Sequence, residues 1–336
     1  MNISIVGAGA WGTALAVHLN RIGHSVKLWV YEAELYRAIY QGRINVYYLP
    51  EVVLDEGIDV HRSLEGAAKG CDSVLLAVPS HAFRDVFVPL SSHLSDDQIL
   101  LSASKGIEGS SLKTMSQIME EVRPNSRVAV LSGPSFAKEV CQGLPTAVTV
   151  ASKDLDLAVR IQEDFSSDRF RIYAHDDVIG AEIGGAVKNV IAIATGISDG
   201  LGFGLNARAA LITRGLAEMM RLGIRMGANE MTFSGLSGFG DLILTCTGDL
   251  SRNRTVGLRI GRGEKVENVT GTMKSVAEGV RTTHSVRMLA RHYQIEMPIT
   301  EQVYLVLYEN KDPKDACVDL MTRSLKKEIF LPGSRS

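Results

Sequence analysis

Six residues constrain this chain more than any others: Gly7-Ala8-Gly9-Ala10-Trp11-Gly12, a G-x-G-x-x-G run. It follows the apolar, β-branched stretch Asn2–Val6 without a gap and opens a helical pattern from Thr13 to Ile22. A second β-branched run, Ser25–Val30, comes next. Strand, glycine-rich turn, helix and second strand in that order are the opening unit of a Rossmann-type sheet. Gly7 permits the tight turn, Gly9 lets a pyrophosphate approach bare backbone, and Gly12 lets helix and strand pack closely. The helix amino terminus adds unpaired N–H groups and the positive end of its dipole, so this turn is expected to hold a dinucleotide.

The same alternation continues through the first half of the chain. Further strands are expected at Ser73–Val78, Ile99–Ala103, Arg127–Leu131 and Thr146–Ala151, short runs whose consecutive apolar residues suit a sheet covered on both faces. Strands alternating with helices imply βαβ units and a mostly parallel sheet. Beyond about residue 175 helices dominate, at roughly Val178–Ser198, Ala207–Met226, Arg252–Arg262, Val276–Tyr293, Thr300–Glu309 and Pro313–Lys326. Glycine-rich breakers, Gly200 to Gly204 and Ser234 to Gly240, separate them. The expected fold is an α/β Rossmann domain over residues 1–177 followed by an all-α, substrate-binding domain over residues 178–336.

Several function classes are excluded early. A net charge of −2 gives no global basic field for a polyanion, so nucleic acid is not an expected partner. The four cysteines (Cys71, Cys141, Cys246 and Cys317) have neither C-x-x-C nor metal-like spacing, and read as free thiols in a reducing compartment. The apolar opening lacks a basic segment and is interrupted by glycines, unlike a signal peptide. No stretch reaches about 18–20 uninterrupted apolar residues, so membrane insertion is not expected and the protein is read as cytoplasmic.

Cofactor choice is left open. An acidic residue about 20 positions beyond the glycines favours NAD by accepting the ribose 2′-OH. Glu32 lies there, just past Trp29-Val30-Tyr31, with Tyr31 a candidate cofactor contact; Lys27 and Arg37 are nearby cations suited to the 2′-phosphate of NADP. Further along, Val78-Pro79-Ser80-His81, Ser104-Lys105-Gly106 and Ser132-Gly133-Pro134-Ser135 follow expected strands, where ligands gather in open α/β sheets. Lys105 places a cation in that cleft.

Lys188 is the one charged residue between Ile183 and Ser198. An ammonium in so apolar a helix is either paired in a cleft, with a lowered pKa useful for proton transfer, or snorkels to solvent. Gly184, four residues earlier, shares its helix face and leaves access to it. Residues 251–265 carry five cations and one carboxylate. Ser251 suits a helix N-cap, placing Arg252 and Asn253 in a first turn where cations oppose the dipole and a phosphate would justify them. Arg259, Arg262 and Lys265 are read as a solvated face. Asp241 either meets substrate hydroxyls or caps a helix beginning at Leu242.

Taken together these segments resemble the bacterial NAD(P)-dependent glycerol-3-phosphate dehydrogenases. The resemblance rests on Gly7 to Ala14, Val78-Pro79-Ser80-His81, Ser104-Lys105-Gly106-Ile107-Glu108, Ser132 to Ala137, Ala186-Val187-Lys188-Asn189, Gly238-Phe239-Gly240-Asp241-Leu242, Ser251-Arg252-Asn253 and Val276-Ala277-Glu278-Gly279. It implies reversible, NAD- or NADP-dependent reduction of dihydroxyacetone phosphate to sn-glycerol 3-phosphate for phospholipid synthesis, in a homodimer. Lys188 is implied as proton acceptor in the oxidative direction, and Lys105 as a contact to substrate and nicotinamide. Gly133, Ser135, Asp241, Ser251, Arg252 and Asn253 would bind substrate. Ala10, Trp11, Ala137, Arg252, Val276 and Glu278 would touch the dinucleotide, and the second domain would be of the 6-phosphogluconate dehydrogenase type. Many members read Leu-Trp-x-Arg where this chain has Leu28-Trp29-Val30-Tyr31. The alternatives are a related dehydrogenase acting on another carbonyl compound and a non-catalytic dinucleotide sensor.

Overall fold

Every run expected as a strand enters one eight-stranded sheet. The computed structural model describes residues 1–271, 277–325 and 327–328. In chain order the first half runs β1 (Asn2–Val6), α1 (Ala10–Arg21), β2 (Ser25–Trp29), α2 (Ala33–Gly42), the hairpin strands β3 (Ile44–Asn45) and β4 (Leu49–Val53), β5 (Ile58–His61), α3 (Leu64–Ala68) and β6 (Ser73–Leu76). It continues through α4 (Phe83–Ser91), β7 (Ile99–Ser102), α5 (Met115–Val122), β8 (Arg127–Ser132), α6 (Ala137–Cys141), β9 (Thr146–Ala151), α7 (Leu155–Phe165) and β10 (Phe170–His175). The spatial order is β10-β9-β8-β7-β6-β1-β2-β5. Neighbours pair in parallel except β8 with β9. The inner strands β6 and β7 are buried at every position, as helices on both faces require.

From β1 the chain passes to β2 on one side and, later, to β6 on the other, so the order reverses between β1 and β6. A crevice opens at the carboxyl ends of strands at such a point. The glycine turn sits there: Gly7 has φ +117°, and a Cβ on Gly12 would fall 1.9 Å from the Gly7 carbonyl oxygen. Close packing of turn on helix therefore requires both glycines.

Four strands were not expected. β5 and β10 are the two edges of the sheet, and their residues alternate, with Ile58, Val60, Phe170 and Ile172 inward and Asp59, Arg171 and Tyr173 outward. A search for continuous apolar runs passes over strands with one solvated face. The β3–β4 hairpin contains Pro50 and an irregular register, which hide its period.

After β10 the helices are α8 (Val178–Gly200), α9 (Gly204–Arg225), α10 (Asp241–Thr247), α11 (Arg252–Gly261), α12 (Val266–Gly271), α13 (Glu278–His292), α14 (Pro298–Tyr308) and α15 (Pro313–Met321). Helix α8 is long and apolar enough to cross a membrane, yet 94% of its apolar window is buried inside the protein, which makes it a core helix. Glycines let α11 lie directly on it. A Cβ on Gly196 would stand 2.1 Å from the Arg254 carbonyl oxygen, and one on Gly257 would stand 2.1 Å from that of Ile193. Backbone meets backbone, and the first turn of α11 is thereby held beside the middle of α8, where Lys188 and Asn189 lie. Cys71, Cys141 and Cys246 are buried free thiols and Cys317 is a half-buried one.

Candidate active site

Strand ends and helix starts converge on one carboxylate. Lys105, three residues past β7, donates to Asp241 Oδ2 at 2.7 Å and to the Gly133 carbonyl at 2.9 Å. Gly133 lies one residue past β8 with φ +126°, and a Cβ there would come within 3.0 Å of Val148 Cα, so only glycine turns the chain at this point. The other Asp241 oxygen, Oδ1, accepts from Lys188 Nζ, which also donates to Thr245 Oγ1 at 2.9 Å. Asp241 thus bridges two ammonium groups, one from each half of the chain, and is itself 1% exposed. An ammonium has three N–H groups, so beyond these two acceptors each lysine retains a donor for a ligand oxygen.

Burial pushes the Lys188 ammonium down to about 8; the Asp241 carboxylate opposes that shift and the Lys105 charge adds to it. A primary amine near that value exchanges protons at neutral pH. Of the two sequence readings, the paired lysine holds and the snorkelling one does not, since Lys188 is 7% exposed. The supposed access beside Gly184 is corrected: a Cβ there would stand 2.3 Å from the Ser237 carbonyl oxygen, so the turn Leu236–Gly240 covers that face. The capping reading of Asp241 is corrected as well. Helix α10 begins at Asp241 itself, and its carboxylate serves the two lysines.

At the other end of the site, Ser251 caps α11 by accepting from Arg254 N at 3.2 Å. Arg252 follows, exposed, within electrostatic reach of Glu278 and Tyr48. Asn253 is buried and its amide is committed: it donates to Asn189 Oδ1 at 2.8 Å and accepts from Gly279 N at 2.9 Å, tying α8, α11 and α13 together. Arg254 pairs with Asp199 and Asp249, and Arg259 with Glu264 on the surface.

The described residues expected to touch a dinucleotide fall on the glycine turn, the loop after β2 and the starts of α1, α6, α11 and α13. The Trp11 indole N–H is buried with no partner among the described residues, a donor waiting for an acceptor, and a Cβ on Gly9 would enter open space. Both observations fit a cofactor lying over the turn. Ala10 and Ala137 are the first residues of α1 and α6, and Ser135 Oγ donates to the Gly133 carbonyl at 3.0 Å. Glu278 opens α13 and accepts from Ser80 Oγ at 2.6 Å and Ser80 N at 3.2 Å, joining the helical half to the loop after β6. Tyr31 is 70% exposed, its ring 5.9 Å from that of Trp29. Lys27, one of the cations near the expected 2′-position, donates to the carbonyls of Lys69 and Gly66. Val276 lies outside the described residues.

Thr245, Asn189 and Ser132 escaped the sequence reading. Thr245 was accessible in principle, because a residue four past Asp241 shares its helix face. Asn189 stood beside Lys188 with no signal of its clamp role. Ser132 Oγ is buried without a partner among the described residues, and both it and the Lys105 stem crowd the space above Gly185.

Comparisons with known proteins identify the family. Residues 2–158 match the family described as NAD-dependent glycerol-3-phosphate dehydrogenase N-terminus, and residues 177–318 match its C-terminus. A glycerol-3-phosphate dehydrogenase [NAD(P)+] of Syntrophotalea carbinolica is 54% identical over 332 residues, covering 98% of this chain and 100% of the relative. The crystal structure of glycerol-3-phosphate dehydrogenase from Coxiella burnetii superimposes with a TM-score of 0.92 at 41% identity, over 96% of this chain and 99% of that one. The yeast enzyme superimposes at 0.80 with 28% identity, over 96% and 99% of the two chains. The chain therefore belongs to the NAD-dependent glycerol-3-phosphate dehydrogenase family.

Proposed function

We propose that this protein catalyses the reversible, NAD(P)H-dependent reduction of dihydroxyacetone phosphate to sn-glycerol 3-phosphate. The observation that carries the reading is the Asp241 carboxylate held between Lys105 and Lys188 at the mouth of the dinucleotide crevice. The bound nicotinamide supplies or accepts the hydride exchanged at C2. The protein's part is to handle the C2 oxygen and hold the substrate still. Lys188 delivers a proton to that oxygen in reduction and takes one back in oxidation, as an amine buried to a pKa of about 8 is suited to do. Lys105 stabilises negative charge developing on the same oxygen. Asp241 accepts from both ammonium groups and holds them in place.

The substrate phosphate sits against Arg252 and the start of α11, which Ser251 caps and Asn253 fixes to α8 and α13. A guanidinium fork beside free helix N–H groups suits a phosphate dianion. Binding energy from that remote group positions the reacting carbon. Gly133 and Ser135 line the substrate side of the β8 loop; Gly7, Gly9, Ala10, Trp11, Gly12, Tyr31, Ala137 and Glu278 line the dinucleotide side. The division at residue 177, a homodimeric assembly, a cytoplasmic location and a role in supplying the phospholipid backbone belong to the same proposal. An absorbance assay at the reduced-nicotinamide band, with dihydroxyacetone phosphate and either NADH or NADPH, tests it. Turnover is expected; cofactor binding without turnover would overturn it.

A further inference from the structure

The buried carboxylate of Glu182 joins the two lysines by a route that bypasses Asp241. Glu182 lies on α8, six residues before Lys188, and is 5% exposed. It accepts from Ser116 N at 2.9 Å and from Ser116 Oγ at 2.5 Å in the first turn of α5, and the Thr114 hydroxyl donates to it as well. Those residues end the segment that Lys105 begins. Between them the chain turns back on itself: Ile107 bridges to Thr114, Glu108 N donates to the Lys113 carbonyl at 2.9 Å, and Leu112 N donates to the Glu108 carbonyl at 2.9 Å. The segment is therefore one stapled unit, with Lys105 next to the end that Glu182 grips. Two further contacts attach it to the helices. Ile107 belongs to the same buried apolar cluster as Ile183, Ala186 and Val190, and its carbonyl accepts from Ser285 Oγ on α13 at 3.2 Å.

Taking a carboxylate out of water is costly, and an apolar residue would fill the same space without that cost. The first turn of α5 already has a local partner, since Gln117 Oε1 accepts from Thr114 N at 3.0 Å. What Glu182 adds is a tie between the two halves of the chain. On the outer side, Arg84 of α4 holds Glu108 by bonds of 2.8 and 3.0 Å, so without Glu182 the segment would follow the Rossmann half. We propose that Glu182 is a positioning residue for the reaction: it holds the Lys105 segment against α8 and so fixes the gap between the Lys105 and Lys188 ammonium groups. This rests on the proposed reaction, in which both ammonium groups meet the C2 oxygen. Misplacing a reacting group by about 1 Å costs up to about 100-fold in rate, so the tie acts on kcat more than on cofactor affinity.

The test compares Glu182→Leu, which removes both acceptors, with Glu182→Gln, which keeps one and offers an N–H that the Ser116 hydroxyl can accept. Glu218→Leu is the matched control: Glu218 is 1% exposed and accepts from Ile299 N and Thr300 N at the start of α14. Thermal melts show which variants fold; Ser116→Ala, which removes a single side-chain bond, replaces Glu182→Leu if the latter does not. Glu182→Leu should lower kcat with dihydroxyacetone phosphate at least about tenfold, while calorimetry gives an NADH affinity within about twofold of wild type. Glu182→Gln should recover most of that loss, and Glu218→Leu should lower Tm with kcat nearly unchanged. A second measurement needs no turnover: reductive methylation of Lys105, read by peptide mass spectrometry, should be several-fold faster in Glu182→Leu than in wild type. Unchanged Lys105 labelling in that variant would overturn the proposal, as would equal losses of kcat in Glu182→Leu and Glu218→Leu. A wild type that does not reduce dihydroxyacetone phosphate, with Lys105 labelling still dependent on Glu182, would instead refute the reaction and uphold the tie.

Discussion

Replacing Asp241 with asparagine keeps the size of the side chain and removes the charge between the two lysines. Lys188 stands at about 8 because burial lowers it while Asp241 resists. An opposite charge in direct contact shifts a pKa by roughly 1–3 units, so its loss should move Lys188 down toward about 6. Near pH 7 the protonated share would fall from about nine-tenths to about one-tenth, one factor of ten for each unit between pH and pKa. Reduction of dihydroxyacetone phosphate needs the ammonium, so its kcat/KM near neutrality should drop about tenfold from protonation alone. The alkaline limb of that profile should shift downward by about two units. Oxidation of glycerol phosphate needs the neutral amine, so its rising limb should shift the same way. The assay is kcat/KM against pH in both directions, for wild type and Asp241→Asn. A reductive limb that stays near pH 8 in the variant would refute the assignment of Lys188 as proton donor tuned by Asp241.

Three further outcomes follow from the packing. Gly196→Ala forces a Cβ against the Arg254 carbonyl and should cost about 1–3 kcal/mol, read as a lowered Tm; an unchanged Tm would mean α8 and α11 are not held backbone to backbone. Asn45→Ala leaves the Ala8 carbonyl and Tyr48 N–H without their buried partner and should destabilise the protein by about 1–3 kcal/mol, with weaker cofactor binding by calorimetry. Burial raises the Glu182 carboxyl above the usual range, against the opposing bonds from Ser116 and Thr114. The folded protein then holds that proton to higher pH than the unfolded chain does, so this group's stabilisation is lost as pH rises from the ordinary carboxyl range through the raised value. Glu182→Gln should flatten the Tm-against-pH curve across that window, and an identical slope in both proteins would contradict it.

The parts legible in the sequence were those with a local period or a local turn requirement. The glycine turn and the inner strands combine short apolar runs with backbone that only glycine tolerates, and both lie where expected. Lys188 announced itself by being charged in an apolar helix. Its partner did not: Asp241 sits 53 residues away and, taken alone, read better as a cap, and no local pattern encodes a carboxylate shared by two lysines from different halves of the chain. Asn253 and Glu278 illustrate the same gap. Each forms long-range contacts, to Asn189 and Gly279 in one case and to Ser80 in the other, that follow only from how the helices pack. The edge strands were missed because half of each faces solvent.

The central claim is that Lys188 handles the proton at C2 of a phosphorylated three-carbon ketone. Its most direct test is the rate of nicotinamide oxidation with dihydroxyacetone phosphate, comparing wild type with a folded Lys188→Ala variant that still binds cofactor. The account predicts turnover by the wild type and a fall of at least about 100-fold in kcat for the variant, the lower end of what a positioned general acid contributes. A variant with near wild-type kcat would contradict it.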